Sequence, residues 1–385
     1  MAAAHLGRTS RSAGGGRPRP TLEQVAARAG VGRGTVSRVI NGSPSVSDRT
    51  RAAVEAAVAE LGYVPNGAAR ALAAGSADAV ALVVPETETK LFAEPYFSGI
   101  LRGVSAELAD SSMQLLLTLI RDEHERDRFA QYAAARRVDG VLLVSVHADD
   151  PLPDQLVESG MPAVLGGRRS GTETVPYVDS DNVDGAQIAV EHLIGRGRRA
   201  VATITGPLDM YVAQCRLEGH RAALRAAGRE EDERLVAHGD FTEEGGKRAM
   251  RELLERAPEV DAVFCASDLM ASGARLALRE AGRGVPADVA LVGFDDSAVA
   301  RHMDPPLTSV RQPIEEMGRA MVRTLLGLMA RERDSVSGGA GGVGGTGGGG
   351  INAAGGTGGT TAQAVRRAAA GSVVLPTELV RRGSS

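Results

Sequence analysis

Apolar positions near the start of the chain fall at helical spacing. Leu22, Val25, Ala26 and Ala29 recur at i, i+3, i+4 and i+7, which lines one face of a helix. Thr21 stands ahead of them as an N-cap whose hydroxyl accepts an early backbone N–H, and Gly30 stands where a left-handed residue ends the helix. A second short helix then turns Val36, Val39 and Ile40 inward and Arg33, Ser37 and Arg38 outward. Ser47 is placed to cap a third helix running to about Leu61, with Val54, Val58 and Leu61 on one face. The three stripes predict a small closed all-α unit. Two helices at a steep angle around a Gly-containing turn form the shape that lays the second helix in a DNA major groove.

From Ala79 the pattern changes to apolar runs separated by amphipathic stretches. Residues 79–84, 114–119, 140–146, 163–166, 200–205, 262–267 and 289–294 are candidate buried strands. Between them, 97–111, 186–195, 215–227, 243–256 and 270–281 are candidate helices. Strand–helix alternation predicts parallel sheets with helices on both faces, and the number of strands points to two doubly wound α/β halves. A last long helix is expected over about 314–333 and a final strand over 372–380. Between them, 338–359 holds 14 glycines in 22 residues, a flexible insertion that cannot form a packed core.

Charge divides the chain. Residues 1–76 carry ten Arg and no Lys against Glu23, Asp48, Glu55 and Glu60, a balance of +6, whereas the whole chain is −4, leaving −10 on the remainder. A basic head on an acidic body suits phosphate contact by the head alone. The first twenty residues have no apolar h-region and read as a Gly/Pro/Arg-rich tail, not a secretory signal. No apolar run is long enough to span a membrane. Cys215 and Cys265 are the only cysteines, which implies no disulfide framework and suits a reducing cytoplasm, and the seven His show no metal-ligand spacing. No cofactor is expected.

The segment GVGRGTVSRVINGSPSVSDRTRAAVEAAVAELGYVPNGAARALA resembles the DNA-binding head and hinge of the lactose-repressor/galactose-repressor (LacI/GalR) family of bacterial transcription regulators. Further blocks, EHLIGRGRRAVATITGP, RLEGHRAAL, VPADVALVGFDDSAVARHMDPPLTSVRQP and VVLPTELVRRGS, are similar to the periplasmic-sugar-binding-protein-like body of that family. The resemblance implies a tail over 1–19, a helix-turn-helix head over 20–64, a hinge over 65–76 and an effector-binding body over 77–385. Within the body it implies an N-subdomain of about 77–180 and 308–334 and a C-subdomain of about 181–307 and 372–381, with the Gly-rich insertion at 335–371. It also implies a homodimer on a palindromic double-stranded operator. The chain shows no C-terminal leucine-repeat helix of the kind some members use to form tetramers.

By family position, Arg33, Gly34, Ser37 and Arg38 face the bases, with Arg38 the leading candidate for a bidentate contact to guanine and Arg33 the second. Gly34 has no side chain to read with, and Gly32 replaces a frequent Ser. Thr21, Thr35 and Asn41 are candidate phosphate contacts, although capping and packing account for Thr21 and Thr35 equally well. Leu72 is the candidate hinge wedge that unstacks a central base step; packing against its own domain is the alternative. For the body, Tyr96, Arg216, Phe241, Asp268 and Asp295 follow strand ends, where open α/β sheets bind ligands, and Asp181 is a weaker candidate. Aromatic rings stack on a sugar or base, and Arg and Asp fix hydroxyls. Tyr96 and Phe241 also fit as core aromatics, and Asp268 as a helix N-cap. Ser267 stands where the family often has Asn. The expected function is a sequence-specific transcription regulator, a repressor controlled by a small effector with sugars favoured. Its rival is a solute-binding protein without DNA function. An enzyme is disfavoured because the chain has no phosphate loop, nucleophile elbow or dinucleotide fingerprint.

Overall fold

The computed structural model describes residues 20–40, 42–63, 76–338 and 371–385. The expected N-terminal tail, nearly all of the hinge and most of the Gly-rich stretch fall outside them. The chain divides into two units, Met1–Ala77 and Asp78–Ser385.

The small unit holds α1 (Leu22–Ala29), α2 (Arg33–Ile40) and α3 (Asp48–Leu61). Thr21 closes a capping box: its hydroxyl accepts from Gln24 N at 3.4 Å and the Gln24 side chain accepts from Thr21 N at 2.9 Å. Gly30 ends α1 at φ 67°, a left-handed residue whose N–H returns to the carbonyls of Ala26 and Ala27. Val25, Val36 and Val54 are fully buried and meet Ala26, Val39 and Ala57 in one core. Ala57 belongs to this core although the third stripe did not include it. Ser47 occupies the N-cap position of α3, but its hydroxyl pairs with the Thr50 hydroxyl at 2.9 Å and not with a helix N–H.

The large unit is built on two six-stranded sheets. The first comprises β1 (Ala79–Val84), β2 (Gln114–Leu119), β3 (Gly140–Val144), β4 (Ala163–Gly166), β5 (Tyr177–Ser180) and β11 (Val373–Leu375). The second comprises β6 (Val201–Thr205), β7 (Val236–His238), β8 (Ala262–Cys265), β9 (Ala290–Asp295), β10 (Thr308–Arg311) and β12 (Glu378–Val380). The first has strand order β11-β5-β4-β3-β1-β2 and the second β12-β10-β9-β8-β6-β7. Every pairing is parallel except β10 with β12. Alternate residues of β1 serve opposite faces: Val80, Leu82 and Val84 join one core, Ala81 and Val83 the other. The first of these cores is covered by α5 (Pro95–Leu108), which follows the short α4 (Glu88–Ala93), and by α13 (Ile314–Gly338), which comes after the short α12 (Ala298–His302); the second is covered by α6 (Glu123–Ala134) and α7 (Leu152–Glu158). In the second sheet, α10 (Glu243–Arg256) and α11 (Asp268–Glu280) cover one face while α8 (Asn182–Gly195) and α9 (Tyr211–Ala226) cover the other. The expected two doubly wound halves are present.

The division between the halves differs from expectation at two places. Thr308–Arg311 was expected with the first half, yet β10 pairs in register with β9 of the second sheet, and the chain crosses only after Arg311. Residues 372–380 were expected as one strand of the second half. They form two strands in different sheets, parted at Pro376 and Thr377: β11 pairs with β5 of the first sheet and β12 with β10 of the second. Pro376 has no N–H for a ladder, so the strand breaks where it changes sheet. Three crossings therefore join the lobes, at Asp181, at Gln312–Pro313 and at Pro376–Thr377. They are tied together: Asp181 N donates to Leu375 O at 2.8 Å and Thr377 Oγ1 to Asp181 O at 3.3 Å.

Helices α5 and α13 touch backbone to backbone at Gly103 and Gly318. A Cβ on Gly103 would lie 2.0 Å from Glu315 O and 3.0 Å from Gly318 Cα. Gly103→Ala is therefore expected to destabilise the large unit by about 1–3 kcal/mol through overpacking, read as a lower urea midpoint. An unchanged midpoint would mean that the helices slide apart at no cost.

Candidate functional site

A cleft between the two lobes opens at the carboxyl ends of their strands, where parallel sheets leave the crevice between successive crossovers. With its mouth counted it encloses about 780 Å³. The first lobe contributes Glu94, Tyr96, Ser145, Arg168 and Asp179; the second contributes Arg216, Phe241, Ser267 and Asp295; Gln312, on a crossing, lies between them. Ser145, Phe241 and Asp295, together with Asp296, hold positive φ values of 58°, 68°, 116° and 52°. Non-glycine residues in that region cost about 1–3 kcal/mol each, and they concentrate where strand ends must aim side chains at a ligand. Gly206 admits the Phe241 ring, because a Cβ there would lie 2.1 Å from its Cζ.

The polar groups form two linked networks. Arg216, buried, donates to Asn182 Oδ1 at 2.9 Å and to Ala266 O at 2.5 Å, stacks on the Phe294 ring at 3.8 Å and lies 4.0 Å from Asp295 Oδ1. Asp295 Oδ1 accepts from Gln312 Nε2 at 2.6 Å, and Gln312 Oε1 accepts from Ser180 Oγ at 2.6 Å. On the other wall Arg168 Nε donates to Asp179 Oδ2 at 2.9 Å, and its guanidinium lies over the rings of Tyr177 at 5.1 Å and Tyr211 at 5.3 Å. Asp179 Oδ1 accepts from Asn182 Nδ2 at 2.9 Å, which joins the two networks. Burial pushes the Asp295 carboxyl up to about 6 even though Arg216 pulls it down. Burial likewise raises Asp179 against the downward pull of Arg168, and lowers Arg216.

Of the six body residues expected from the sequence, the structure brings Tyr96, Arg216, Phe241 and Asp295 to the cleft. Asp268 and Asp181 are not there. Asp268 is the first residue of α11, with Ser267 as the N-cap, and it lies beneath the cleft floor, accepting from Ser309 Oγ at 2.6 Å and Ser297 N at 2.7 Å. Burial and the neighbouring Asp295 push its carboxyl up to about 8. Asp181 caps α8, accepting from Asp184 N at 3.1 Å, and stands in the crossing. An acid just after a strand end has the same sequence signature whether it faces a cleft or caps the next helix. Arg168, Asp179, Glu94 and Gln312 were missed. Arg168 had a detectable signal, since it follows the AVLG strand; Asp179 and Gln312 sit in or beside short polar strands that periodicity does not mark.

In the small unit, Arg33, Gly34 and Arg38 are exposed on α2, and Thr35 and Ser37 are half-buried. Arg33 pairs with Glu23 at 3.1 Å, while Arg38 Nε donates to Gly34 O of its own helix at 3.3 Å. Thr21 is exposed and engaged in its capping box. Asn41 and Leu72 lie outside the described residues. Among the described residues no cluster of His, Cys, Asp and Glu is arranged to hold a metal, and no helix is long and apolar enough to cross a membrane. Cys215 and Cys265 are buried and form no disulfide.

Residues 21–66 match the family described as bacterial regulatory proteins, lacI family, and residues 190–337 match a periplasmic binding protein-like domain. The HTH-type transcriptional regulator CelR of Thermobifida fusca is 57% identical over 318 residues, which cover 82% of this chain and 94% of CelR. The ribose operon repressor of Escherichia coli strain K12 is 34% identical over 308 residues, 80% of this chain and 92% of that one. Among solved structures, a CelR–cellobiose complex aligns with a TM-score of 0.69 at 49% identity, over 95% of this chain and 100% of that one. A lac repressor dimer bound to operator and the anti-inducer ONPF aligns with a TM-score of 0.75 at 26% identity, over 95% and 99%. A three-helix reader on a chain that also carries a two-lobed clamshell defines a ligand-responsive, DNA-binding transcription regulator. Within that class the chain belongs to the lacI family of bacterial regulatory proteins. The rival solute-binding reading falls, because the relatives that cover both units are transcription regulators.

Proposed function

We propose that this regulator is a repressor whose operator affinity is set by a neutral sugar in the cleft, with a glucose disaccharide such as cellobiose the first candidate. The carrying observation is the Ser180–Gln312–Asp295 chain of hydrogen bonds, which runs from the first lobe through a crossing to the cleft wall of the second. A hydroxyl bound at Asp295 acts on the joint between the lobes, so ligand and lobe orientation share one network. Tyr96 and Phe241 supply ring faces for a sugar, and Arg216 and Asp295 supply polar ends. The CelR–cellobiose complex, at 49% identity, favours that ligand class.

Coupling to DNA follows from different effector affinities for two lobe arrangements. The protein acts as a homodimer in the cytoplasm, without catalysis or cofactor, and reads an approximate palindrome with two heads. Arg38 and Arg33 contact base edges with Gly34 and Ser37 beside them, Thr21, Thr35 and Asn41 contact phosphates, and Leu72 wedges the central step. The test is a gel shift with genomic fragments, run with and without cellobiose and a panel of neutral sugars. Selective binding of one duplex, changed at least about tenfold by one sugar, is expected. No preference over random competitor under any condition would end the regulator assignment; selective binding that no sugar alters would end only the sugar assignment.

A further inference from the structure

Many of the cleft's polar side chains already bond one another. Ser145 Oγ donates to Glu86 Oε1 at 2.6 Å, Ser267 caps α11, and Asp179, Asp295, Arg168, Arg216 and Gln312 are engaged as described. Six buried side-chain atoms among the described residues lack a hydrogen-bond partner, and of these only Glu94 Oε1 belongs to a cleft-lining residue. The Glu94 side chain is 13% exposed, and Lys90 Nζ is 3.9 Å away, beyond hydrogen-bond distance, because it is committed to Glu86 at 2.6 Å. Glu94 occupies the N-cap position of α5 but makes no capping bond with its side chain. A buried acceptor without a partner is costly, so such a group persists where a ligand completes it.

We propose that Glu94 is a specificity-determining acceptor that takes a hydroxyl of a neutral sugar and disfavours anionic sugars. This rests on the sugar-sensor reading above and deepens it. The cations lining the cleft point the same way. Lys90 is held by Glu86, Arg168 by Asp179 at 2.9 Å, and Arg216 by Asn182 and a carbonyl with Asp295 beside it. Each of the three already has a carboxylate beside it that balances its charge, which weakens the pull on a phosphate or carboxylate, whereas a hydroxyl donor suits Glu94.

The groups facing Glu94 are Lys90 and Glu86 from the first lobe and Asp295 and Asp240 from the second. Burial pushes its carboxyl up to about 8, the three acids add to the rise, and Lys90 opposes it. A hydroxyl donated to Glu94 favours the ionised form, so binding releases a proton at neutral pH. Affinity for a neutral sugar therefore increases as pH rises toward and past about 8.

The test is calorimetric titration of the intact chain with cellobiose at about pH 6.5 and about pH 8.5, with glucose 6-phosphate as the anionic probe. Wild type is expected to bind cellobiose several-fold more tightly at the higher pH and to bind glucose 6-phosphate more weakly than cellobiose. Glu94→Ala is expected to lose about tenfold or more in cellobiose affinity. Glu94→Gln, isosteric and uncharged, is expected to keep the fold and lose the pH dependence. The proposal is overturned, with the sensor reading intact, if cellobiose binds but Glu94→Ala binds it as tightly as wild type, if Glu94→Gln keeps the pH slope, or if glucose 6-phosphate binds better. Should Glu94→Ala not fold, Glu94→Gln and the pH profile decide alone. Failure of wild type to bind cellobiose at either pH removes the cellobiose assignment and this role of Glu94 together.

Discussion

Replacing Arg216 by Ala should abolish the effector response. Arg216 holds Asn182 Oδ1 and Ala266 O, stacks on Phe294 and is the cation nearest Asp295. Its loss strands two buried acceptors and removes the largest of the influences that pull the Asp295 carboxyl back toward its ordinary range. Effector affinity is expected to fall by about 100-fold or more, and unfolding free energy by about 3–5 kcal/mol, since one partner of a buried charged network is gone. Arg216→Lys should recover only part of either, because an ammonium cannot reproduce the planar fork that meets Asn182 and the carbonyl at once. Calorimetry and urea denaturation measure the two effects separately. A variant that folds and still shows the wild-type effector titration would remove Arg216 from the site.

Arg38→Ala should cost about 1–3 kcal/mol in operator discrimination, with a much smaller change on random duplex. Arg38 is exposed on α2, and among the described residues its side chain bonds Gly34 O of its own helix and pairs with no carboxylate, so its guanidinium fork needs none displaced before it meets a guanine. Arg33 is paired with Glu23 and must first release it, so Arg33→Ala should have the smaller effect. Gel shifts with operator and random competitor over a salt series separate the roles. An equal loss on both duplexes, with a reduced salt slope, would identify Arg38 as a phosphate contact and not a base reader.

Much of the molecule was legible in the chain because local periodicity and burial agree there. Val25, Val36 and Val54 were recognisable as core from spacing alone, and the apolar runs of β1, β3 and β9 as far as Phe294 had to be interior strands because every residue in those runs is apolar or small. Tyr96, Arg216, Phe241 and Asp295 were found because strand ends are where such sheets bind ligands. Glu94 was missed because its distinction is an unmet hydrogen bond, which exists only once its neighbours are in place. Arg168 and Asp179 were missed because each acquires its role from partners on other strands and on the other lobe.

The sequence by itself determined the two kinds of unit, the strand and helix runs, the basic head on an acidic body and four of the strand-end residues that line the cleft, since all of these depend on neighbours within a few positions. Tertiary structure alone decided which sheet each late strand joins, as β10 and the divided 373–380 segment show. It also decided that Asp268 lies under the cleft while Gln312 bridges it. A short strand carries the same alternation whichever sheet completes it, and a polar side chain acquires its function from partners brought next to it by long-range pairing.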